Sequence, residues 1–303
     1  MYRPRRPPRS AFHELDDGLR CHVTRWGEPS PAPLVLLHGW MDAGATFQFV
    51  VDALARERYV IAPDWRGFGR SGHVPGGRYW FPDYLADLDA LLDRYSPDRA
   101  VDVAGHSMGG NAAGLYAGAR PERVRRLALL EGFGLPSADP GGAPVRYRRW
   151  LRQLRVRAPF RSYADYGEFA DRLRRENPRL TRSRSAFVAR CWGRPGADGR
   201  IVPRGDPAHR RVNPVLYRLE EAEACWRAIR CPVLWVWGDA SAHVRRAAGD
   251  PDMDRRRACF RTLDEVTVTG AGHMLHHDRP EALARVLEAF LSGPAGGERT
   301  GCG

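Results

Sequence analysis

The sequence predicts an α/β fold: a mostly parallel, doubly wound sheet with an inserted helical cap. Two patterns carry that expectation. Short continuous apolar runs alternate with segments of helical period. Runs of that kind suit strands buried on both faces of a parallel sheet, with helices covering each side. The alternation then breaks between about 135 and 228, an Arg-rich stretch opened by Pro136, Pro140, Gly141 and Gly142.

In chain order, residues 1–10 (MYRPRRPPRS) read as a flexible Pro/Arg arm. Segments 12–16 and 19–26 can pair as an antiparallel hairpin at the sheet edge. The apolar runs Leu34–Leu37, Tyr59–Ala62, Ala100–Ala104, Leu127–Leu130, Val233–Trp237 and Val266–Val268 are the predicted inner strands. Between them, Phe47, Val50, Val51 and Leu54 fall at i, i+3, i+4 and i+7, one face of a helix. Tyr84, Leu88, Leu91 and Leu92 mark a second helical face, and Leu283, Val286, Leu287 and Phe290 a third. The expected organisation is a core of 11–134 and 229–292, a helical cap of 135–228, and flexible tails at 1–10 and 293–303.

Composition narrows the class. With 43% hydrophobic and 28% charged residues over 303 positions, the chain can bury a large core and is not globally disordered. No apolar stretch nears the roughly 18 residues that span a bilayer. The basic N-terminus leads into no apolar segment of an export signal, so a cytoplasmic location is expected. Six cysteines form no CxxC pair, and no histidine cluster has zinc-ligand spacing. Free thiols and no metal are the expectation. The net charge is +12, and every basic residue is Arg. Residues 135–230 hold 22 Arg against 10 acidic residues, so the surplus sits wholly in that central window. Nucleic-acid motifs are absent from the sequence. The charge could draw an anionic small molecule, or it could be a solvated Arg-rich face.

Chemistry is signalled by Gly105-His106-Ser107-Met108-Gly109, directly after the run Ala100–Ala104 and before a small-residue helix. A serine in this strand–turn–helix setting sits on a strained turn with its hydroxyl above the sheet. Small neighbours let strand and helix approach. Alone, a serine is a weak nucleophile; it needs a base and donors for the oxyanion.

Four segments together resemble the α/β-hydrolase superfamily, in the branch of epoxide hydrolases and haloalkane dehalogenases, here with a serine nucleophile. They are His38-Gly39-Trp40, Asp64-Trp65-Arg66-Gly67-Phe68-Gly69-Arg70-Ser71, the Ser107 elbow, and Gly270-Ala271-Gly272-His273. The resemblance covers roughly 20–135 and 231–292. It implies His273 as the base, rather than His276 or His277. It also implies an oxyanion hole built from the backbone N–H groups of Trp40 and Met108. Such a donor is typically worth about 2.7–4 kcal/mol in the transition state. Asp64 and Arg66 are expected to brace loops.

The acid departs from the common pattern. Most relatives carry Asp three residues beyond the Gly that ends the strand PVLWVWG; here that position is Ser241. The substitutes are Glu131, at the end of the run RLALLE, and Asp239. The sequence favours Glu131, because a carboxylate directly after four apolar residues is poorly solvated.

The expected activity is hydrolysis of a carboxylic ester, or a related acyl bond, through an acyl-enzyme intermediate, with no cofactor required. Serine at the elbow argues against dehalogenation and epoxide opening, which use a carboxylate there in this superfamily. Carbon–carbon bond hydrolysis and thioester hydrolysis use the same Ser–His arrangement and remain open. So does a non-catalytic receptor on the same scaffold, which the serine at 241 keeps alive.

Overall fold

Every predicted apolar run forms a strand in the computed structural model, which describes residues 2–156, 159–243, 250 and 252–293. The strands are β1 (Arg9–Glu14), β2 (Arg20–Trp26), β3 (Leu34–Leu37), β4 (Val60–Pro63), β5 (Val101–His106), β6 (Val124–Leu130), β7 (Gly193–Pro195), β8 (Ile201–Pro203), β9 (Val233–Gly238) and β10 (Leu263–Val268). Eight of them make one sheet in the order β1-β2-β4-β3-β5-β6-β9-β10. The expected edge hairpin is there: β1 and β2 pair antiparallel, and β2 joins β4 antiparallel. All further pairings in this sheet are parallel. β7 and β8 form a separate two-stranded ribbon.

Successive side chains of a strand point to opposite faces. In β6, Leu127 and Leu129 enter one apolar cluster while Ala128 and Leu130 enter another. The first cluster is closed by α2 (Phe81–Tyr95), α3 (Met108–Ala119) and α7 (Leu219–Ala228), the second by α1 (Gln48–Ala53) and the last helix, Pro280–Ser292. Both faces are therefore dry, which is why these strands read as unbroken apolar runs rather than alternating ones.

The insertion between β6 and β9 carries α4 (Ala143–Leu154), α5 (Tyr166–Glu176) and α6 (Arg182–Trp192), with the β7–β8 ribbon after them. It has its own small core of Phe169, Leu173, Leu180, Val188 and Ile201, joined to the main body through Phe49. One boundary moves relative to the sequence reading. The sequence places α7 in the 135–228 insertion, yet Trp226 lies in the main cluster. A Cβ added to Gly114 of α3 would lie 2.9 Å from Trp226 Nε1, and Gly118 abuts the Cys225 backbone. The glycines at 114 and 118 form the groove into which α7 packs, so this helix belongs to the sheet-flanking layer.

The N-terminal arm also differs from expectation. Residues 2–8 are docked rather than loose. Tyr2 packs edge-on against Phe49 and Phe187. Its hydroxyl donates to Asp52 Oδ2 at 2.8 Å, and the Arg5 and Arg6 amides donate to the same carboxylate at 3.1 and 2.7 Å. Asp52 is buried and needs these donors, which a basic composition alone does not reveal. At the other end, residues 294–303 of the expected tail lie outside the described residues. Among the described residues the five cysteines are unpaired, and no helix is long and apolar enough to cross a membrane.

Candidate active site

Strand β5 ends at His106, α3 begins at Met108, and Ser107 makes the corner between them. Its backbone has φ 51° and ψ −116°, a conformation that L-residues adopt only under constraint. The constraint is visible in the neighbours. A Cβ on Gly105 would lie 2.5 Å from the Gly109 carbonyl oxygen, and one on Gly109 would lie 2.5 Å from that of His38. The Ser107 amide donates to the Leu130 carbonyl at 2.8 Å, fixing the corner to β6. Among the described residues, the non-glycine residues at positive φ are Met41, Ser107 and Glu131. All three border the same site.

His273 lies on the loop after β10. Its Nε2 is 3.1 Å from Ser107 Oγ and its Nδ1 is 3.1 Å from Glu131 Oε2. With Glu131 ionised, Nδ1–H donates to the carboxylate and Nε2 is left to accept from the serine hydroxyl. The Glu131 side chain has no exposed surface, whereas that of His273 is 30% exposed. Glu131 Oε1 accepts from the Gly238 amide at 2.8 Å, and Oε2 accepts from the Ser241 hydroxyl at 2.7 Å. Ser241, at the position the resemblance assigns to the acid, thus donates to the Glu131 carboxylate at the end of β6. Asp239, the alternative acid, is exposed and accepts from the Gly270 amide at 2.8 Å. It braces the loop leading to His273 and makes no hydrogen bond to the imidazole among those described.

The other named residues fall as follows. Met108 opens α3, where first-turn amides have no partner within the helix. Trp40 follows Gly39, whose added Cβ would stand 3.2 Å from Ser107 Cβ. Asp64 accepts from His22 and from the Gly44 and Arg70 amides, and Arg66 pairs with Asp87, so both brace loops. His276 and His277 are buried away from the serine; His276 Nε2 donates to Asp42 Oδ2 at 2.9 Å.

Two motif histidines, given no role of their own from the sequence, hold backbone groups beside this site. His38 Nδ1–H donates to the Gly39 carbonyl at 2.7 Å, while its Nε2 accepts from the Trp65 amide at 2.9 Å. In a trans peptide the carbonyl and the next N–H point oppositely. Pinning the Gly39 carbonyl therefore fixes the direction of the Trp40 N–H. His106 Nε2–H donates to the His273 carbonyl at 2.7 Å, tying the His273 loop to the elbow. Burial, helped by His276 and His273 nearby, pushes His106 well below the ordinary histidine pKa, so it stays neutral. Nothing in the pentapeptide marks its variable position for that duty.

Asp42, His276 and His277 bring ligand-type atoms within 4.8 Å of one another. Hydrogen bonds already account for the aspartate. Oδ1 accepts from the Ala43 amide, Thr46 Oγ1 and Trp192 Nε1, and Oδ2 accepts from His276. Burial alone would raise the Asp42 carboxyl, but the His276 bond and the neighbouring histidines hold it below the carboxylate range.

Known proteins share this architecture. The chain is 27% identical over 277 residues to the serine hydrolase-like protein of Danio rerio, covering 88% of this chain and 83% of that one. It is 40% identical over 106 residues to 2-hydroxy-6-oxo-2,4-heptadienoate hydrolase of Pseudomonas putida, covering 34% and 38%. The thioesterase domain from the curacin biosynthetic pathway superimposes with a TM-score of 0.82 and 26% identity, covering 93% of this chain and 99% of that one. Residues 32–280 match the family described by the alpha/beta hydrolase fold, and the chain belongs to that family.

Proposed function

We propose that the protein is a serine hydrolase that cleaves a carboxylic ester, or a related acyl bond, by two-step acyl transfer. The observation that carries the reading is the continuous line from Ser107 Oγ through His273 to the buried Glu131 carboxylate. Ser107 Oγ attacks the carbonyl carbon while His273 Nε2 takes its proton. The oxyanion accepts hydrogen bonds from the Trp40 and Met108 amides. The imidazolium, stabilised by Glu131, gives its proton to the leaving group, and the acyl-enzyme remains. Water then attacks, His273 takes its proton, and the acid departs with Ser107 restored. The cycle uses protein groups and water alone. The insertion acts as the cap over this site, and the unpaired thiols suit a reducing, cytoplasmic setting.

Two features weigh on the rival readings. The receptor reading rests on the serine at 241, and the Glu131 carboxylate on His273 Nδ1 weighs against it. The similarity to a relative named as a heptadienoate hydrolase favours carbon–carbon bond hydrolysis as the second reading, since the same groups serve both. A fluorophosphonate probe tests the core of the proposal. Wild-type protein should be labelled, and Ser107→Ala should not be. A folded wild type that resists the probe and hydrolyses no 4-nitrophenyl ester would overturn the assignment.

A further inference from the structure

A cavity of about 470 Å³ lies beside the proposed oxyanion loop, within the size range of small-molecule sites. Trp40 and Met41 form one wall, and the insertion forms the other with Phe160, Tyr163, Trp192 and Arg204. The two walls touch. A Cβ on Gly205 would lie 3.2 Å from Met41 Cε, so the residue after Arg204 sits directly on the loop that follows Trp40.

Arg204 is the unusual member. Its main chain is fixed at both ends: the amide donates to the Trp192 carbonyl at 2.7 Å, and its own carbonyl accepts from His73 Nε2 at 3.0 Å. The residue is half-buried and lines the cavity. The other arginines around this wall have partners: Arg161 pairs with Glu168, Arg172 pairs with Glu176, and Arg210 lies over the Phe160 ring. Among the described residues Arg204 has no ion pair and no side-chain hydrogen bond. Asp64, whose charge acts on Arg204, and Asp42, which shares the cavity wall, are committed elsewhere. Asp42 serves Trp192, Thr46 and His276, and Asp64 serves His22 and two amides. Loss of solvent, with Arg70 and Arg194 nearby, lowers the Arg204 pKa from its ordinary value despite the opposing pull of Tyr166 and Asp64, as expected of a cation held partly dry without a carboxylate bonded to it. Retaining such a cation costs stability unless a counter-charge arrives.

We propose that Arg204 anchors an anionic group of the substrate, so the preferred ester carries a carboxylate-type charge on the arm that fills this cavity. The proposal rests on Ser107 being the nucleophile, and it gives the arginine surplus of the insertion a specific point of action. A planar guanidinium on a fixed stem suits bidentate recognition of a carboxylate.

Three esters test it: 4-nitrophenyl hexanoate, mono-4-nitrophenyl adipate with the charge on the acyl arm, and 4-hexanoyloxy-3-nitrobenzoate with the charge on the leaving arm. Binding is measured by calorimetry in a Ser107→Ala background, and kcat/KM in the otherwise native protein. One charged ester should bind about ten- to a hundredfold more tightly than the neutral one, the range expected of a charge-assisted hydrogen bond. Arg204→Gln should erase that ratio, and Arg204→Lys should restore part of it. The identity of the preferred ester reports which arm occupies the cavity. Equal binding of all three esters, or a ratio unchanged by Arg204→Gln, overturns the proposal. Charge-dependent binding without any turnover by wild type would leave the anion site standing and remove the Ser107 mechanism. Turnover of all three without preference would do the reverse.

Discussion

Replacing Glu131 by glutamine keeps the side-chain shape and removes the charge. The surroundings decide what the amide does. One carboxylate oxygen accepts from the Gly238 main-chain N–H, which cannot turn away; the other accepts from Ser241 Oγ and His273 Nδ1. If the glutamine oxygen keeps the Gly238 bond, its NH2 faces the imidazole. His273 must then carry its proton on Nε2 and can no longer accept from Ser107. The flipped amide restores the correct tautomer but sets NH2 against the Gly238 N–H, leaving a buried donor unmet at about 1–3 kcal/mol. The productive arrangement is thus a minority of roughly one part in 5 to one in 150. Even that fraction lacks the negative charge that stabilises the imidazolium. Together these place the loss in kcat near 10³- to 10⁴-fold; the matching acid-to-amide change in a serine-protease triad costs about 10⁴. Steady-state hydrolysis of a 4-nitrophenyl ester, with a thermal melt to confirm folding, measures it. Adding Ser241→Asp to Glu131→Gln places a carboxylate where most relatives keep theirs and should recover about tenfold or more. Asp239→Asn should change kcat less than threefold, because its amide oxygen can still accept from Gly270. A Glu131→Gln enzyme within threefold of wild type, or an Asp239→Asn enzyme down by orders of magnitude, refutes this reasoning.

Gly109→Ala should lower stability by about 2 kcal/mol or more, because its Cβ meets a backbone carbonyl that cannot rotate away; urea unfolding of the variant checks it. Removing residues 1–8 strips three donors from the buried Asp52 and should cost about 3 kcal/mol. Asp52→Asn in the shortened chain should recover part of that loss, read from the same unfolding curves. Burial and the neighbouring His276 push His277 down to about 3, against about 6.5 when unfolded. The unfolded chain therefore binds the extra proton between those values, and stability present above pH 6.5 is lost as the pH falls. Going from pH 7 to 5 should cost about 2 kcal/mol through this group. His277→Asn should flatten the dependence by about one proton, whereas an unchanged slope would place the acid sensitivity elsewhere.

The sheet was readable because double burial turns strands into short apolar runs, and helices between them keep a 3.6 period. The elbow was readable because a strained serine demands small residues at fixed neighbouring positions. The docked arm was not. Its attachment depends on the buried Asp52, a residue forty-odd positions away that looks in the sequence like any helix-surface acid. α7 reads as part of the insertion for a related reason: its groove is formed by glycines in α3, about a hundred residues earlier. Contacts that join distant segments through small residues or single hydrogen bonds leave no local pattern in the chain.

The proposed acid lies between these cases. Motif reading indexes the carboxylate by its distance from Gly238, while the imidazole responds only to where the charge sits in space. β6 and β9 are parallel neighbours, with Leu130 opposite Val236. The residues that follow the two strands therefore emerge side by side at the same edge of the sheet. The Glu131 amide donates to the Val236 carbonyl at 3.0 Å, and a φ of 56° turns the residue beneath His273. From either strand a carboxylate can reach Nδ1, and the hydroxyl of the vacated position now donates to the one that does. Two acids at once would place like charges in one buried pocket and raise the pKa of one of them. Ser241→Asp alone, with Glu131 retained, should therefore lower kcat at pH 7 and move its pH dependence, because one proton would be shared between two carboxyls beside the imidazole. Full activity with an unshifted profile would mean that the two positions do not compete for the same histidine.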